Sequence, residues 1–201
     1  MDSPQVVLDA DFIIHLCSIK NQDFFESFIQ ALDVQPIVSW YVAGELINCQ
    51  KAKDLMNNGY IHVVYPDDFL SNSTQRELFD MNVRGVAERV NGEPIHPRVD
   101  LFSKDSHICG KNIGEIISEL MAKEMGLTLF ASDDCRAKRY ADTYINSKNY
   151  ILDVKNIADL LFIIAKKGKT KELKWKDIKH VLSHKRWDKY IGDLRELWVS
   201  D

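Results

Sequence analysis

Short apolar runs alternate along the chain with stretches in which apolar residues recur every three or four positions. Apolar, β-branched runs bounded by turn residues are typical of buried strands, and they predict strands at 6–8, 60–65, 127–131 and 150–152. The three-to-four spacing is typical of helices and predicts them from about 12, at 22–32, 40–56, 67–90 and 112–125, after 134, and at 156–167, 174–184 and 187–198. Strands that alternate with helices indicate a three-layer α/β/α fold with a central parallel sheet.

Turn and cap residues set the limits of these elements. The pair Gln35-Pro36 is expected to break the chain between two helices, and Ser39 is placed to cap the second one. Asn58-Gly59 gives a strong stop signal. The segment 91–111 contains two prolines and two glycines, which predicts the longest loop of the chain.

Composition and charge exclude several classes of protein. Of the 201 residues, 45% are hydrophobic and 28% are charged, as in soluble globular domains, and no apolar run is long enough to span a membrane. The N-terminus lacks the basic and apolar regions of a secretory signal, so we expect a cytoplasmic protein. The absence of a Cys-x-x-Cys pair excludes zinc ribbons. The net charge of −4 combines an acidic body with a basic tail from Lys166 onward, which suits a metal site in the body and phosphate contacts in the tail.

Pairs of acidic residues follow two of the predicted strands. Asp9 and Asp11 come directly after the first strand, and Asp133 and Asp134 follow the strand that ends at 131. Because ligands bind outside the carboxyl ends of parallel strands, Asp9 and Asp133 are expected at one edge of the sheet. Carboxylates held together repel each other unless one is protonated or a cation lies between them, and oxygen ligands favour Mg²⁺ or Mn²⁺. The alternative for either aspartate alone is a helix cap.

Two glutamates on predicted helices extend this acidic set. Glu45 has largely apolar neighbours one turn away on its helix, so it either meets a cation or reaches the surface. Glu115 lies off the apolar stripe of its own helix, beside the small residues Ser118 and Ala122. It also falls in the first helical turn, where the helix dipole alone favours an anion.

Taken in order, these motifs resemble the PIN domain family. The opening strand Val-Val-Leu-Asp-Ala-Asp-Phe-Ile-Ile at 6–14 is similar to the first PIN motif, and Ala-Gly-Glu-Leu at 43–46 to the second acidic motif. The run from Gly114 through Ala-Ser-Asp-Asp at 131–134 resembles the third and fourth motifs, and the apolar helix at 156–168 resembles the one that follows in many members. The resemblance covers roughly residues 5–168, with 66–111 longer than expected.

The resemblance implies a Mg²⁺- or Mn²⁺-dependent endoribonuclease with RNA as substrate. Its acidic, catalytic set would be Asp9, Glu45, Glu115 and Asp133, with Asp11 as a further metal ligand and Asp134 able to replace Asp133. Three cations that follow the acidic pair are placed to contact RNA phosphates: Arg136, Lys138 and Arg139. The PIN-like domain would span 1–168, with 66–111 as an insertion, and 169–201 would form a basic helical extension. A toxin held by an antitoxin or another protein partner, an RNA-processing enzyme and a defence nuclease fit this expectation equally, and a homo-oligomer is compatible with it.

Two other functions are compatible with the sequence. A haloacid-dehalogenase-like phosphatase would use Asp9 as nucleophile and Asp11 as acid and base, but it would leave Glu45 and Glu115 without a role. A non-catalytic module that binds nucleic acid or protein on a PIN fold is the second alternative, since a fold does not guarantee activity.

Overall fold

A five-stranded, all-parallel sheet forms the centre of the protein, in a computed structural model that describes residues 3–103, 110–184 and 187–199. The strands are paired in the order β3-β2-β1-β4-β5. Their bounds are β1 Gln5–Leu8, β2 Gln35–Ser39, β3 His62–Val64, β4 Leu129–Ala131 and β5 Asp153–Lys155. The predicted α/β class with a parallel sheet is confirmed.

Side chains of the central strand alternate between two hydrophobic clusters, one on each face of the sheet. Val6 and Leu8 pack into the first cluster and Val7 into the second, as the two-residue period of a strand requires. The first face is covered by α1 Ala10–Cys17, α2 Phe24–Leu32, α4 Gln50–Asn57, α9 Ile157–Lys166, α10 Trp175–His184 and α11 Ile191–Val199. Residues on both faces of the sheet are therefore buried.

The second face carries the helices that bear Glu45 and Glu115. They are α3 Trp40–Glu45, α5 Pro66–Phe69, α6 Ser73–Asn91, α7 Ile113–Glu124 and α8 Cys135–Tyr140. Ser39 caps α3 as predicted, since its hydroxyl accepts a hydrogen bond from the Val42 N–H at 3.3 Å. The predicted apolar stripe of α7 is buried, from Ile113 to Met121.

The prediction that Gln35-Pro36 only breaks the chain is wrong, because both residues belong to strand β2. The Gln35 N–H donates to the Pro4 carbonyl on the β1 side. Successive backbone nitrogens of a strand point to opposite sides, so the nitrogen of Pro36 points toward β3. Pairing with β3 begins only at Ile37. The missing N–H of Pro36 therefore removes no hydrogen bond from the sheet.

Three other predicted boundaries also differ from the structure. The last strand is Asp153–Lys155 rather than 150–152, because Tyr150 instead closes an isolated bridge with Ser147. The predicted helix 40–56 is divided into α3 and α4 by a 3-10 turn at Leu46–Asn48. The helix 67–90 is divided into α5 and α6, with Asn72 as the cap of α6. Residues 104–109 of the predicted loop lie outside the described residues.

The C-terminal helices pack on the first face rather than standing apart from the sheet. Ile178, Val181, Leu182 and Leu194 belong to the same hydrophobic cluster as the helices that follow β1 and β5. Within the residues that the structure describes, no helix is long and apolar enough to cross a membrane.

Candidate metal and nuclease site

Acidic side chains from four separate elements line one cavity at the carboxyl edge of the sheet. The cavity has a volume of about 320 Å³. Asp9 follows β1, Asp11 and Ile14 belong to α1, Glu45 ends α3, and Glu115 lies in the first turn of α7. The rest of the wall is formed by Ala10, Gly110, Lys111, Asn112 and Arg136. Of the predicted acidic set, the structure therefore brings Asp9, Asp11, Glu45 and Glu115 to one cavity, whereas neither Asp133 nor Asp134 lines it.

Asp9 is the deepest of these carboxylates and is held at both oxygens. Its Oδ1 accepts a hydrogen bond from the Ala10 N–H at 2.8 Å, and its Oδ2 accepts one from the Ser132 hydroxyl at 3.0 Å. The residue is only 3% exposed. Burial, followed by the Glu115 carboxylate, raises the pKa of Asp9 well above its usual range, although the Ser132 bond opposes this. Asp9 also caps α1, so the same carboxylate both caps a helix and lines the acidic cavity.

Glu45 and Glu115 face each other across the start of α7, where Gly114 leaves room for a carboxylate. A Cβ atom at Gly114 would lie 2.8 Å from Oε2 and 3.1 Å from Oε1 of Glu45. Although the Glu45 residue as a whole is exposed, burial of its carboxylate, then Glu115 and Asp11, raise its pKa to about 7. Burial also raises the pKa of Glu115, assisted by Asp134 and Asp11. Burial first, and then the nearby carboxylates, thus disfavour ionisation of both glutamates.

The two aspartates after β4 point in different directions. Asp133 turns inward: its Oδ2 lies 2.7 Å from Nδ1 of His15, and its Oδ1 accepts a hydrogen bond from the Ile157 N–H at 3.1 Å. Its side chain is fully buried and does not line the acidic cavity. Asp134 caps α8 by accepting a hydrogen bond from the Arg136 N–H at 2.8 Å. The structure therefore brings Asp134, rather than Asp133, toward Glu115.

The three predicted phosphate-binding cations do not share one location. Arg136 lines the cavity, where its guanidinium is paired with Asp134. Lys138 lies 3.6 Å from the carboxylate of Asp142 instead. The Arg139 guanidinium lies over the ring of Tyr140. Neither Lys138 nor Arg139 lines the acidic cavity.

Several residues that shape the site were not predicted from the sequence. Ser132 bonds Asp9 and also accepts a hydrogen bond from the Asp134 N–H at 3.1 Å. Gly114 precedes Glu115 directly. A glycine next to a candidate acidic residue indicates that another group can approach the backbone closely there. Nothing in the sequence singles out Lys111, because it lies in a predicted loop without the apolar periodicity of a helix or strand.

A fifth carboxylate, Glu119, lies one helical turn beyond Glu115. It is fully buried, and neither of its oxygens has a hydrogen-bond partner among the described residues. Burial, then the charges of Glu115 and Asp9, raise its pKa well above the usual range. A helical projection places it beside the buried Ile116, which is the signal that sequence reasoning could have used.

The chemistry of the donor set fits a hard divalent cation. All the acidic groups of the cavity offer carboxylate oxygens, which Mg²⁺ and Mn²⁺ prefer. A cation would also offset the repulsion that, after burial, helps to raise the pKa values of Glu45 and Glu115. Within the described part of the chain, no three carboxylate, imidazole or thiol groups stand close enough together to hold a metal ion as they are placed. Binding therefore requires side chains of the cavity, such as the exposed Asp11, to move closer to Asp9 and Glu115.

Comparison with known proteins adds no assignment to this geometry. No protein-family model, curated protein or solved structure significantly matches the chain.

Proposed function

We propose that this protein is a divalent-metal-dependent endoribonuclease of the PIN type. The observation that carries the proposal is the meeting of Asp9, Asp11, Glu45 and Glu115 on one cavity at the carboxyl edge of a parallel sheet. These residues are far apart in the sequence and belong to four elements. A purely structural role as helix cap explains Asp9, but it does not explain why the other three carboxylates share its cavity.

The acidic groups divide into a fixed part and an adjustable part. Asp9 is fixed by two hydrogen bonds at the end of the central strand, whereas Asp11 is exposed and Glu45 carries its carboxylate at the end of a flexible side chain. In our proposal these three groups and Glu115 hold Mg²⁺ or Mn²⁺, and Asp134 adds negative charge beside Glu115. A bound ion would polarise the scissile phosphate and lower the pKa of a water molecule toward neutrality.

Protein groups other than the carboxylates would position the substrate. Arg136 lies on the cavity wall with its guanidinium held by Asp134, and its side chain is 49% exposed. It therefore keeps donors available for a phosphate oxygen at the point where the strand would enter. The choice of RNA over other phosphodiesters rests on the resemblance of the acidic motifs to the PIN family.

The test is cleavage of single-stranded and structured RNA with added Mn²⁺, in parallel with single-stranded DNA and a small phosphomonoester. The variants are Asp9→Asn and Glu115→Gln, and the matched control is Glu77→Gln on the exposed face of α6. We expect cleavage of RNA that EDTA stops, that both site variants lose by at least about a hundredfold, and that the control retains. Thermal unfolding with and without Mn²⁺ gives a second readout, because an ion that binds the folded state raises the Tm.

Each alternative outcome identifies another function. Hydrolysis of the phosphomonoester that needs Asp9 but not Glu115 would support the phosphatase. RNA binding with neither cleavage nor stabilisation by Mn²⁺ would indicate a non-catalytic module and would refute the nuclease proposal.

A further inference from the structure

The segment between α6 and α7 reaches the acidic cavity at Gly110, Lys111 and Asn112. Lys111 is attached to the end of α6 through its backbone: the side-chain amide of Asn91 donates to the Lys111 carbonyl at 2.9 Å. The side-chain amide of Asn112 in turn donates to Oδ1 of Asn91 at 2.8 Å. Two reciprocal hydrogen bonds therefore hold this part of the loop against the last residue of a 19-residue helix.

The backbone of Asn112 is shaped by the same attachment. Its φ is 61°, in the left-handed region that few residues other than glycine adopt. Asn112 occupies the cap position of α7, yet its side chain makes no cap hydrogen bond and is used for Asn91 instead. Asparagine is among the few non-glycine residues that adopt this region readily, so the turn at Asn112 directs the chain into α7 beside the cavity.

Lys111 differs from the other cations near the site in having no charged partner in the part of the chain that the structure describes. Arg136 is paired with Asp134, and Lys138 with Asp142. Lys111 is exposed, lines the acidic cavity, and forms no ion pair with any residue that the structure describes. Its ammonium group is therefore available to an anion that arrives from solution.

We propose that Lys111, held in place by Asn91 and Asn112, binds a backbone phosphate of the nucleic-acid strand at the entrance to the acidic cavity. This inference rests on the proposed nuclease function and assigns a substrate-binding role to Lys111, just before α7. A lysine ammonium donates charge-assisted hydrogen bonds to phosphate oxygens. Contacts of this kind fix the register of the strand without reading its sequence. The four carboxylates repel a polyanion, and a free cation at the entrance offsets this repulsion on the approach side.

The experiment measures steady-state cleavage of a short single-stranded RNA in Mn²⁺ at a series of salt concentrations. The variants are Lys111→Ala, Lys111→Arg and Asn91→Ala, and the matched control is Lys148→Ala, which removes an exposed lysine in another turn. For Lys111→Ala we expect KM to rise about tenfold, as for the loss of one charged hydrogen bond, with kcat changed much less. The slope of log(kcat/KM) against log[salt] should become shallower by about 0.7, the value for one phosphate contact on a single strand.

The other variants separate charge from position. Lys111→Arg should keep the wild-type salt slope, and Asn91→Ala should raise KM because the loop loses both hydrogen bonds of its attachment. Lys148→Ala should match the wild type in KM and slope. The increase of Tm caused by Mn²⁺ should be the same in Lys111→Ala as in the wild type, since Lys111 is not part of the acidic set.

Two results would overturn the inference in distinguishable ways. If the wild type cleaves RNA and Lys111→Ala retains its KM and salt slope, Lys111 has no phosphate contact and the nuclease proposal stands. If the wild type neither cleaves RNA nor gains stability from Mn²⁺, the proposed function fails, and the inference that rests on it fails with it.

Discussion

Replacing Gly114 by alanine tests the geometry of the site with the smallest possible change. The added methyl group would lie 2.8 Å from Oε2 and 3.1 Å from Oε1 of Glu45. Ordinary contact begins at about 3.4 Å, so the carboxylate must retreat by about 0.6 Å or turn away. Because it is the far end of a flexible side chain, this movement costs the fold little, and we expect the change to appear in function rather than in stability.

Gly114→Ala should leave the stability of the protein unchanged or slightly higher, whereas it should lower the rate of RNA cleavage. Alanine is favoured over glycine inside a helix by about 0.5–1 kcal/mol, so the free energy of unfolding of the metal-free protein should be unchanged or slightly higher. A reacting group displaced by about 1 Å can cost about a hundredfold in rate. For a displacement of about 0.6 Å we expect a loss of roughly 10- to 100-fold in RNA cleavage, with a smaller rise of Tm on addition of Mn²⁺.

The assay combines urea denaturation, thermal unfolding with and without Mn²⁺, and RNA cleavage. Gly85→Ala is the matched control, because Gly85 lies inside α6 and a Cβ there would have no neighbour within 4 Å. Because this is an interior helical position, Gly85→Ala should gain about 0.5–1 kcal/mol in stability and keep full activity. A Gly114→Ala protein that cleaves RNA and responds to Mn²⁺ as the wild type does would refute the placement of the Glu45 carboxylate in the reaction.

Three further predictions concern buried charge near the site. Glu119→Leu removes a buried carboxylate that has no hydrogen-bond partner among the described residues, and urea denaturation at pH 7 should show a free energy of unfolding about 1–3 kcal/mol higher than that of the wild type. The pKa of Glu45 is raised from 4.5 to about 7, so its contribution to stability is present below about pH 4.5 and is lost as the pH rises through about 7. The Tm of the metal-free protein should therefore fall between about pH 5 and pH 7.5, and it should fall less in Glu45→Gln. His15→Ala removes the hydrogen-bond partner of Oδ2 of the buried Asp133 side chain and should cost about 1–3 kcal/mol in urea denaturation.

Each of these predictions has a result that contradicts it. An unchanged or lower stability of Glu119→Leu would mean that the carboxylate has a favourable partner in solution. A Tm that rises with pH over the stated range would show that other groups outweigh Glu45. No loss of stability in His15→Ala would show that the contact between His15 and Asp133 contributes nothing to the free energy of unfolding.

The sequence predicts the parallel sheet and the acidic edge better than it predicts the limits of the elements. Buried strands such as β1 are short apolar runs, and their ends fix where Asp9 lies. Strand β2 was missed because Pro36 is normally a reason to reject a strand, and its harmless position depends on where β3 begins to pair. That information is contained in the register of the sheet and is absent from any local window of sequence.

The two consecutive aspartates after β4, Asp133 and Asp134, show that local sequence also leaves part of the site undecided. Motif order alone left Asp133 and Asp134 interchangeable. The structure separates them through residues distant in sequence, since Asp133 is bonded to His15 and to the N–H of Ile157, while Asp134 caps α8. The burial of His15 could be suspected from its place on an apolar helix, but its partners could not.

His15 also explains how the C-terminal helices are connected to the site. Its Nδ1 lies 2.7 Å from Asp133 and its Nε2 lies 3.1 Å from the carbonyl of Val181 in α10. A carbonyl can only accept a hydrogen bond, so Nε2 carries a proton, and the ring joins α10 to the loop that ends β4. Because Asp134 is the next residue of that loop, a shift of α10 would be passed to the cap of α8 and to Arg136. The helices that the sequence predicts as an extension are thus joined by hydrogen bonds to the loop that carries Asp134, and deletion of 169–201 should impair the site as well as expose the first face of the sheet.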